Sequence, residues 1–321
     1  MIQTTNPMDK AQKFIAELKK VETHIHLDGT LTPELIKTLA IEQQYMPLMN
    51  LSLEEIASKC TIHNRRTLSE CLSPFFIIHP LLKNTKALFK VAYELIRSLN
   101  QYNVTHVEVR FAPAFHGLPY DQVISAVLDG LKQGQIEFGI TSSVIICMMR
   151  SYVTMESNRE ALMAAIRFKD KGVSAIDLAG DEASQPLSDF VELYKEARQH
   201  GLLLTVHAGE IPNSPDLSTA IDVISVDRIG HATYINDYQL AQCAARKIMI
   251  EICITSNLRT GAVESVTDHP VFNILKLYPE LVLLSTDDPG LFSCNINDEY
   301  LLLWMNGVSL DTLSTISKNG V

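Results

Sequence analysis

Eight short runs of apolar and β-branched residues, each ending in polar residues, restrict this 321-residue chain more than any other feature. They are VETHIH from Val21, VTHVEVRFAP from Val104, ITSSVIICMMR from Ile140 and VSAIDLAGDE from Val173. LLLTVHAGE from Leu202, VDRIGHAT from Val226, IMIEICITSN from Ile248 and LVLLSTDDP from Leu281 complete the set. Amphipathic stretches separate most of them. One is LSDFVELYKEARQHG, with Phe190, Val191 and Tyr194 at helical spacing and Gly201 as a stop. Strand–helix alternation repeated this often in a chain of this length predicts a (β/α)8 barrel. An open doubly wound sheet would need a glycine-rich phosphate loop after its first strand. Neither G-x-G-x-x-G nor G-x-x-x-x-G-K-[ST] is present.

No linker, low-complexity run or repeated sequence divides the chain, so residues 1–321 read as one domain. One segment breaks the rhythm: residues 31–103, between the first and second runs, are mostly helical in pattern. Barrel active sites are built at the C-terminal ends of the strands. This insertion therefore reads either as a lid or pocket wall or as helical decoration. At the other end, LDTLSTISKNGV stops inside what reads as a helix.

Composition removes several function classes. The formal net charge is −10, and such a surface repels phosphate backbones, which argues against nucleic acid as a partner. No apolar run is long enough to cross a bilayer, and MIQTTNPMDKAQKF lacks the parts of a signal peptide. Six scattered cysteines without a C-x-x-C pair read as free thiols in a reducing compartment. A cytoplasmic enzyme acting on a small molecule is the expectation; the sequence does not fix an oligomeric state.

The strand ends carry the chemistry. Alternate residues of a strand share a face, so His24, His26 and Asp28 are expected to point the same way. Gly180 and Asp181 end the fourth run, His207 and Glu210 the fifth, His231 the sixth, and Asp287 and Asp288 the eighth. In a barrel these ends meet at one mouth. Three histidines (His24, His26, His207) and one carboxylate make a donor set suited to zinc. Asp287 is the expected carboxylate, because its strand closes the barrel against the first. Such a metal lowers the pKa of bound water from ~15.7 to about 7. Glu210, His231 and Asp288 remain: a carboxyl able to hold a proton, an imidazole able to orient water or accept its proton, and a carboxyl able to bond a polar substrate edge. The set suits hydrolytic attack on an electrophilic carbon. His63, His79, His106, His116, His200 and His269 read as packing residues.

HIHLDG, EVRFAP, DLAGDE, HAGE, IGHAT, EICITSN and STDDP, in this order from Val21 onward, resemble the signatures of the adenosine deaminase family of metal-dependent amidohydrolases. The resemblance implies one zinc per chain on His24, His26, His207 and Asp287, with His26 also beside the substrate. It implies that Glu210 donates a proton to purine N1 and that His231 positions and activates the water attacking C6. Asp288 would bond N7, the Gly180 backbone N3, and Asp28 the ribose. Leu68, Leu72 and Phe75 would form an apolar wall. The implied reaction converts adenosine and 2′-deoxyadenosine to inosine and 2′-deoxyinosine with release of ammonia, a step of purine salvage. Relatives continue past Val321 with further helix, so the C-terminus reads as short or trimmed. The zinc deaminases built on H-x-E and P-C-x-x-C are a different type, and that signature is absent.

Three other readings stand beside this one. Free adenine, or a modified adenine nucleoside or nucleotide, could be the substrate; Asp28 favours a nucleoside because its charge suits sugar hydroxyls and repels phosphate. A dinuclear amidohydrolase would need a bridging lysine at the end of the fourth strand, and IDLAGDE has none. A nucleoside-binding relative without turnover would be expected to lack Glu210 or His231, and both are present.

Overall fold

The computed structural model describes residues 6–320. Eight parallel strands follow one another in chain order: β1 (Lys20–His26), β2 (Val104–Phe111), β3 (Thr141–Met149) and β4 (Val173–Ala179). β5 (Leu203–Ala208), β6 (Arg228–His231), β7 (Met249–Ile252) and β8 (Val282–Leu284) follow. All eight runs read from the sequence are strands. The continuous apolar centres, such as Val144–Met148 of β3, are buried, as parallel strands covered by helices require.

The barrel closes through a single bridge, Ile25 to Asp287. Asp287 N–H donates to the His24 carbonyl and His26 N–H to the Asp287 carbonyl, both at 2.9 Å. The seam that completes the fold is thus made by the residue expected to bind metal. Asp287 takes a left-handed backbone there, with φ +65°.

Helices Tyr120–Phe138, Met155–Phe168, Val191–Gln199 and Asp237–Arg246 cover the barrel after β2, β3, β4 and β6. The segment 31–103 divides in two. Its last part, Thr85–Leu99, is the barrel's own helix after β1 and packs along Tyr120–Phe138. The true insertion precedes it as short helices, Pro33–Glu42, Met46–Met49, Leu53–Cys60, Leu68–Cys71 and Phe75–Ile78. The final helix is Leu310–Ile316, followed by turn residues as far as Gly320. All six cysteines are free, and no helix among the described residues is long and apolar enough to cross a membrane.

Candidate active site

At the C-terminal ends of the strands, one ligand atom each from His24, His26, His207 and Asp287 lies within 4.8 Å of the others. The Nε2 atoms of His24 and His26 stand 3.1 and 3.2 Å from His207 Nε2. Asp287 Oδ1 is 3.3 Å from His24 Nε2 and 3.2 Å from His26 Nε2. What lies beneath decides how these rings present themselves. His24 Nδ1 is 2.8 Å from Glu251 Oε2, and His207 Nδ1 is 2.9 Å from Asp177 Oδ2. A carboxylate accepts only, so His24 Nδ1, bonded to Glu251, carries the proton and its Nε2 faces the centre with a bare lone pair; the nearness of Asp177 favours the same tautomer at His207. Lone pairs converging at this distance repel one another unless a cation lies between them. The residues fit a metal.

One guanidinium ties the two carboxylates together. Arg110 Nη1 donates to Asp177 at 3.0 Å, and Nη2 donates to Glu251 at 2.8 Å and to the Thr23 carbonyl at 2.7 Å. All three side chains are fully buried. Burial would raise both carboxyl pKa values, but His207 and Arg110 at Asp177, and Arg110, Arg228 and His24 at Glu251, hold them well below the carboxylate range. They therefore remain anionic acceptors. Ser256 Oγ likewise donates to Asp287 Oδ2 at 2.6 Å, leaving Oδ1 for the cluster.

Above the cluster opens a cleft of about 440 Å³, a size suited to a small ligand. Glu210, His231, Asp288 and Gly180 line it, so the residues predicted from four separate strand ends do meet. Burial, then the charges of Glu182 and Asp287, push the Glu210 carboxyl up to about 8. The turn that places it depends on Gly209, at φ +77°, where a Cβ would lie 2.8 Å from Leu217. Glu182 clamps that turn by accepting the N–H groups of Gly209 and Glu210 at 3.0 and 2.8 Å. His231 Nε2 is 3.6 Å from Glu210 Oε1. Burial and the adjacent Asp287 hold Asp288 well above the usual carboxyl range. Its Oδ1 is buried with no partner among the described residues. A cation on the four ligand atoms would draw both carboxyls down again. Gly180, at φ +98°, exposes its backbone to the cleft; a Cβ would meet the Arg150 carbonyl at 3.3 Å.

Leu68, Leu72 and Phe75 line the cleft as expected, with Phe115, Tyr152 and Phe292 facing it from other loops. Asp28 also reaches it, though not as an extension of the strand. β1 ends at His26, and Asp28 begins a 3₁₀ turn, Asp28–Thr30. His79, read from sequence as a packing residue, is in the cleft wall and bonds Asp28 Oδ2 at 2.8 Å. Its ring lies between Phe75 and Phe115, with centroids 5.7 and 5.0 Å away. Burial would raise the Asp28 carboxyl, but the bond and charge of His79 hold it at about 2. His269, also read as packing, sits behind His231 through Asn257.

The sequence profile of the family described as adenosine deaminase matches residues 19–321. An adenosine deaminase of Clostridium kluyveri is 32% identical over 316 residues, spanning 96% of this chain and 90% of that protein. The chain belongs to the adenosine deaminase family. Its reaction class is hydrolytic deamination. Among solved structures, the N6-methyl-AMP deaminase of Arabidopsis thaliana has a TM-score of 0.82 and 26% identity, covering 95% of this chain and 91% of that one. An amidohydrolase of Burkholderia ambifaria with bound zinc has a TM-score of 0.81 and 25% identity, covering 99% and 89%. Both solved structures share the barrel, and the adenosine deaminase and the N6-methyl-AMP deaminase are named for different adenine compounds.

Proposed function

We propose that this enzyme uses zinc, held by His24, His26, His207 and Asp287, to deaminate adenosine and 2′-deoxyadenosine to the inosine nucleosides and ammonia. The observation that carries the reading is the placement of two buried carboxyls, Glu210 and Asp288, facing the donor cluster across one cleft, with burial favouring the protonated form of each. Purine N1 and N7 are acceptors, and a carboxyl can donate to them only while it keeps its proton. A metal held by His24, His26, His207 and Asp287 would make a water able to attack at neutral pH available. Glu210 donates its proton to N1, which draws electrons from C6 as the oxygen adds. That is help given mainly in the transition state. Asp288 donates to N7 and the Gly180 backbone meets N3, so the ring is held on three edges. His231 directs the attacking oxygen at C6. Addition turns C6 tetrahedral; one proton of the water passes to the amino group, the C6–N bond breaks with release of ammonia as the C6 carbonyl forms, and the water's other proton replaces the one Glu210 gave to N1.

Seated this way, the purine leaves its sugar toward Asp28 and the wall formed by Leu68, Leu72 and Phe75. A carboxylate there accepts hydrogen bonds from sugar hydroxyls. A second reading, an adenine nucleotide as substrate, draws support from Lys83, which also lines the cleft, and from the bond that offsets Asp28. The discriminating experiment compares kcat/KM for adenosine, 2′-deoxyadenosine, adenine, adenosine monophosphate and N6-methyl-adenosine monophosphate on zinc-loaded protein. Preference for the nucleosides supports the first reading; preference for either monophosphate replaces it with the second.

A further inference from the structure

Behind His231 runs a chain of hydrogen bonds that begins at a group with no choice of role. The Val271 backbone N–H can only donate, and it donates to His269 Nδ1 at 3.1 Å. His269 is buried, which pushes its imidazole pKa down to about 3. The ring is therefore neutral, and its one proton sits on Nε2. That Nε2 lies 3.1 Å from the Asn257 side chain, so the atom facing it is the amide oxygen. The Asn257 amide nitrogen, turned the other way, donates to His231 Nδ1 at 3.0 Å. Asn257, His231 and His269 are all nearly inaccessible to solvent, so water does not compete for these bonds.

We infer that His269 and Asn257 are positioning residues that fix the tautomer of His231, committing its Nδ1 as acceptor and directing Nε2–H into the cleft. Four groups in series, Val271 N–H, His269, Asn257 and His231, pass one direction of donation from the backbone to the reacting centre. His231 Nε2 points toward Glu210 Oε1 at 3.6 Å and Asp287 Oδ2 at 4.0 Å. With the proton on Nε2, no lone pair of the ring faces the site. His231 then acts as a hydrogen-bond donor to the attacking oxygen as negative charge develops there, and it is not the group that takes that oxygen's proton. The inference about direction stands on the bonds alone; its catalytic consequence rests on the deaminase reading above.

The test is the ring-nitrogen NMR spectrum of zinc-loaded protein carrying 15N-histidine at neutral pH, with the His231 signals assigned by their loss in His231→Gln. The pattern of a neutral ring protonated on Nε2 is expected. Asn257→Asp reverses the polarity, since a carboxylate accepts from Nδ1–H, and should convert His231 to the Nδ1-protonated or doubly protonated pattern. It should lower kcat by about 10²–10³-fold, the usual loss of one such donor, with KM and bound zinc little changed. His269→Leu, similar in bulk but without a donor, should mix the two tautomers. His269→Gln, whose amide can still donate to Asn257, should restore the wild-type pattern. Wild-type His231 protonated on Nδ1, or on both nitrogens, overturns the inference even where a variant fails to fold. So does an Nε2–H pattern that persists in both Asn257→Asp and His269→Leu. If the patterns agree while adenosine is not turned over, the adenosine reading fails and the relay stands.

Discussion

The floor and the rim of the cleft are built on opposite terms. The floor is barrel: His24, Arg110, Asp177 and Glu251 come from four different strands, all are fully buried, and each is tied to the next by charge. The rim between residues 68 and 83 is insertion: two four-residue helices and a 3₁₀ turn. The first of these is held by a capping box between Thr67 and Glu70, and Phe76 is 68% exposed. Isolated helices this short are unstable in water; these persist by packing on the barrel mouth. A donor geometry that must hold to a fraction of an ångström belongs on rigid strands, whereas a surface that selects among ligands can vary without disturbing it. The floor should therefore govern metal and rate, and the rim should govern which adenine compound is used.

The strongest way to break this division is at Glu210. Glu210→Gln keeps the shape and the backbone bonds to Glu182 but cannot transfer a proton to N1, and kcat should fall by about 10²–10⁴-fold. Zinc content should match wild type, since Glu210 is outside the ligand cluster. More than about a tenth of wild-type kcat would move the acid role elsewhere, and lost zinc would move Glu210 among the ligands. The pH profile carries the same sign. The active form is protonated, and burial raises its pKa to about 8, so kcat/KM should decline on the alkaline side as the proton leaves. A bound cation shifts that limb to lower pH.

Arg110→Met tests the floor without touching a ligand or the substrate. It leaves Asp177 and Glu251 buried with part of their counter-charge removed. The loss of such an orienting layer typically lowers metal affinity by about 10–100-fold. A chelator competition assay should read that loss, together with a lower melting temperature in the metal-free protein. Unchanged zinc affinity would mean that the histidines are placed by backbone alone.

The difference between floor and rim also explains what could be read in advance. Strand ends repeat a pattern, so His24, His26, His207, Asp287, Glu210 and His231 stood out as polar residues closing apolar runs. The layer behind them lies inside quoted motifs, Arg110 in EVRFAP, Asp177 in DLAGDE, Glu251 and Asn257 in EICITSN, but nothing local says what each residue touches. Glu251 sits in the middle of IMIEIC and meets His24 across 227 positions; Arg110 reaches Asp177 across 67. Asn257 and His269 gain meaning only from each other and from Val271 N–H. At the rim, Asp28 reaches the cleft by another route than strand alternation, which fails once the chain turns into 3₁₀ geometry after His26. His79 reads as a packing residue because a lone histidine in a helical insertion shows no sign of its partner, Asp28, until the chain folds.

Asp28→Ala should lower kcat/KM for adenosine by about tenfold or more, since a charge-assisted hydrogen bond is worth roughly 1.5–3 kcal/mol. Adenine turnover, if any is measured, should change little. Adenosine monophosphate should become a better substrate relative to adenosine. Unchanged ratios among the three would remove Asp28 from substrate selection.

The smallest effect expected, and the one that divides the rim most finely, belongs to His79. His79→Phe keeps a ring between Phe75 and Phe115 but removes the donor to Asp28 Oδ2. Asp28 and His79 are both partly open to solvent, with side chains 11% and 15% exposed, so water can replace some of the lost bond. For adenosine, kcat/KM should therefore fall only about two- to tenfold, the range of a modest net hydrogen bond. The two rim variants should then act oppositely on the monophosphate. Removing Asp28 removes an anion facing the phosphate, whereas removing His79 leaves that anion without its partner and makes the phosphate less welcome. In the double variant, losing His79 should cost almost nothing beyond Asp28→Ala, because its effect runs through a carboxylate no longer there. Additive losses, or a monophosphate that improves in His79→Phe, would mean that His79 meets the ligand directly and that the cleft accepts phosphate on its own account.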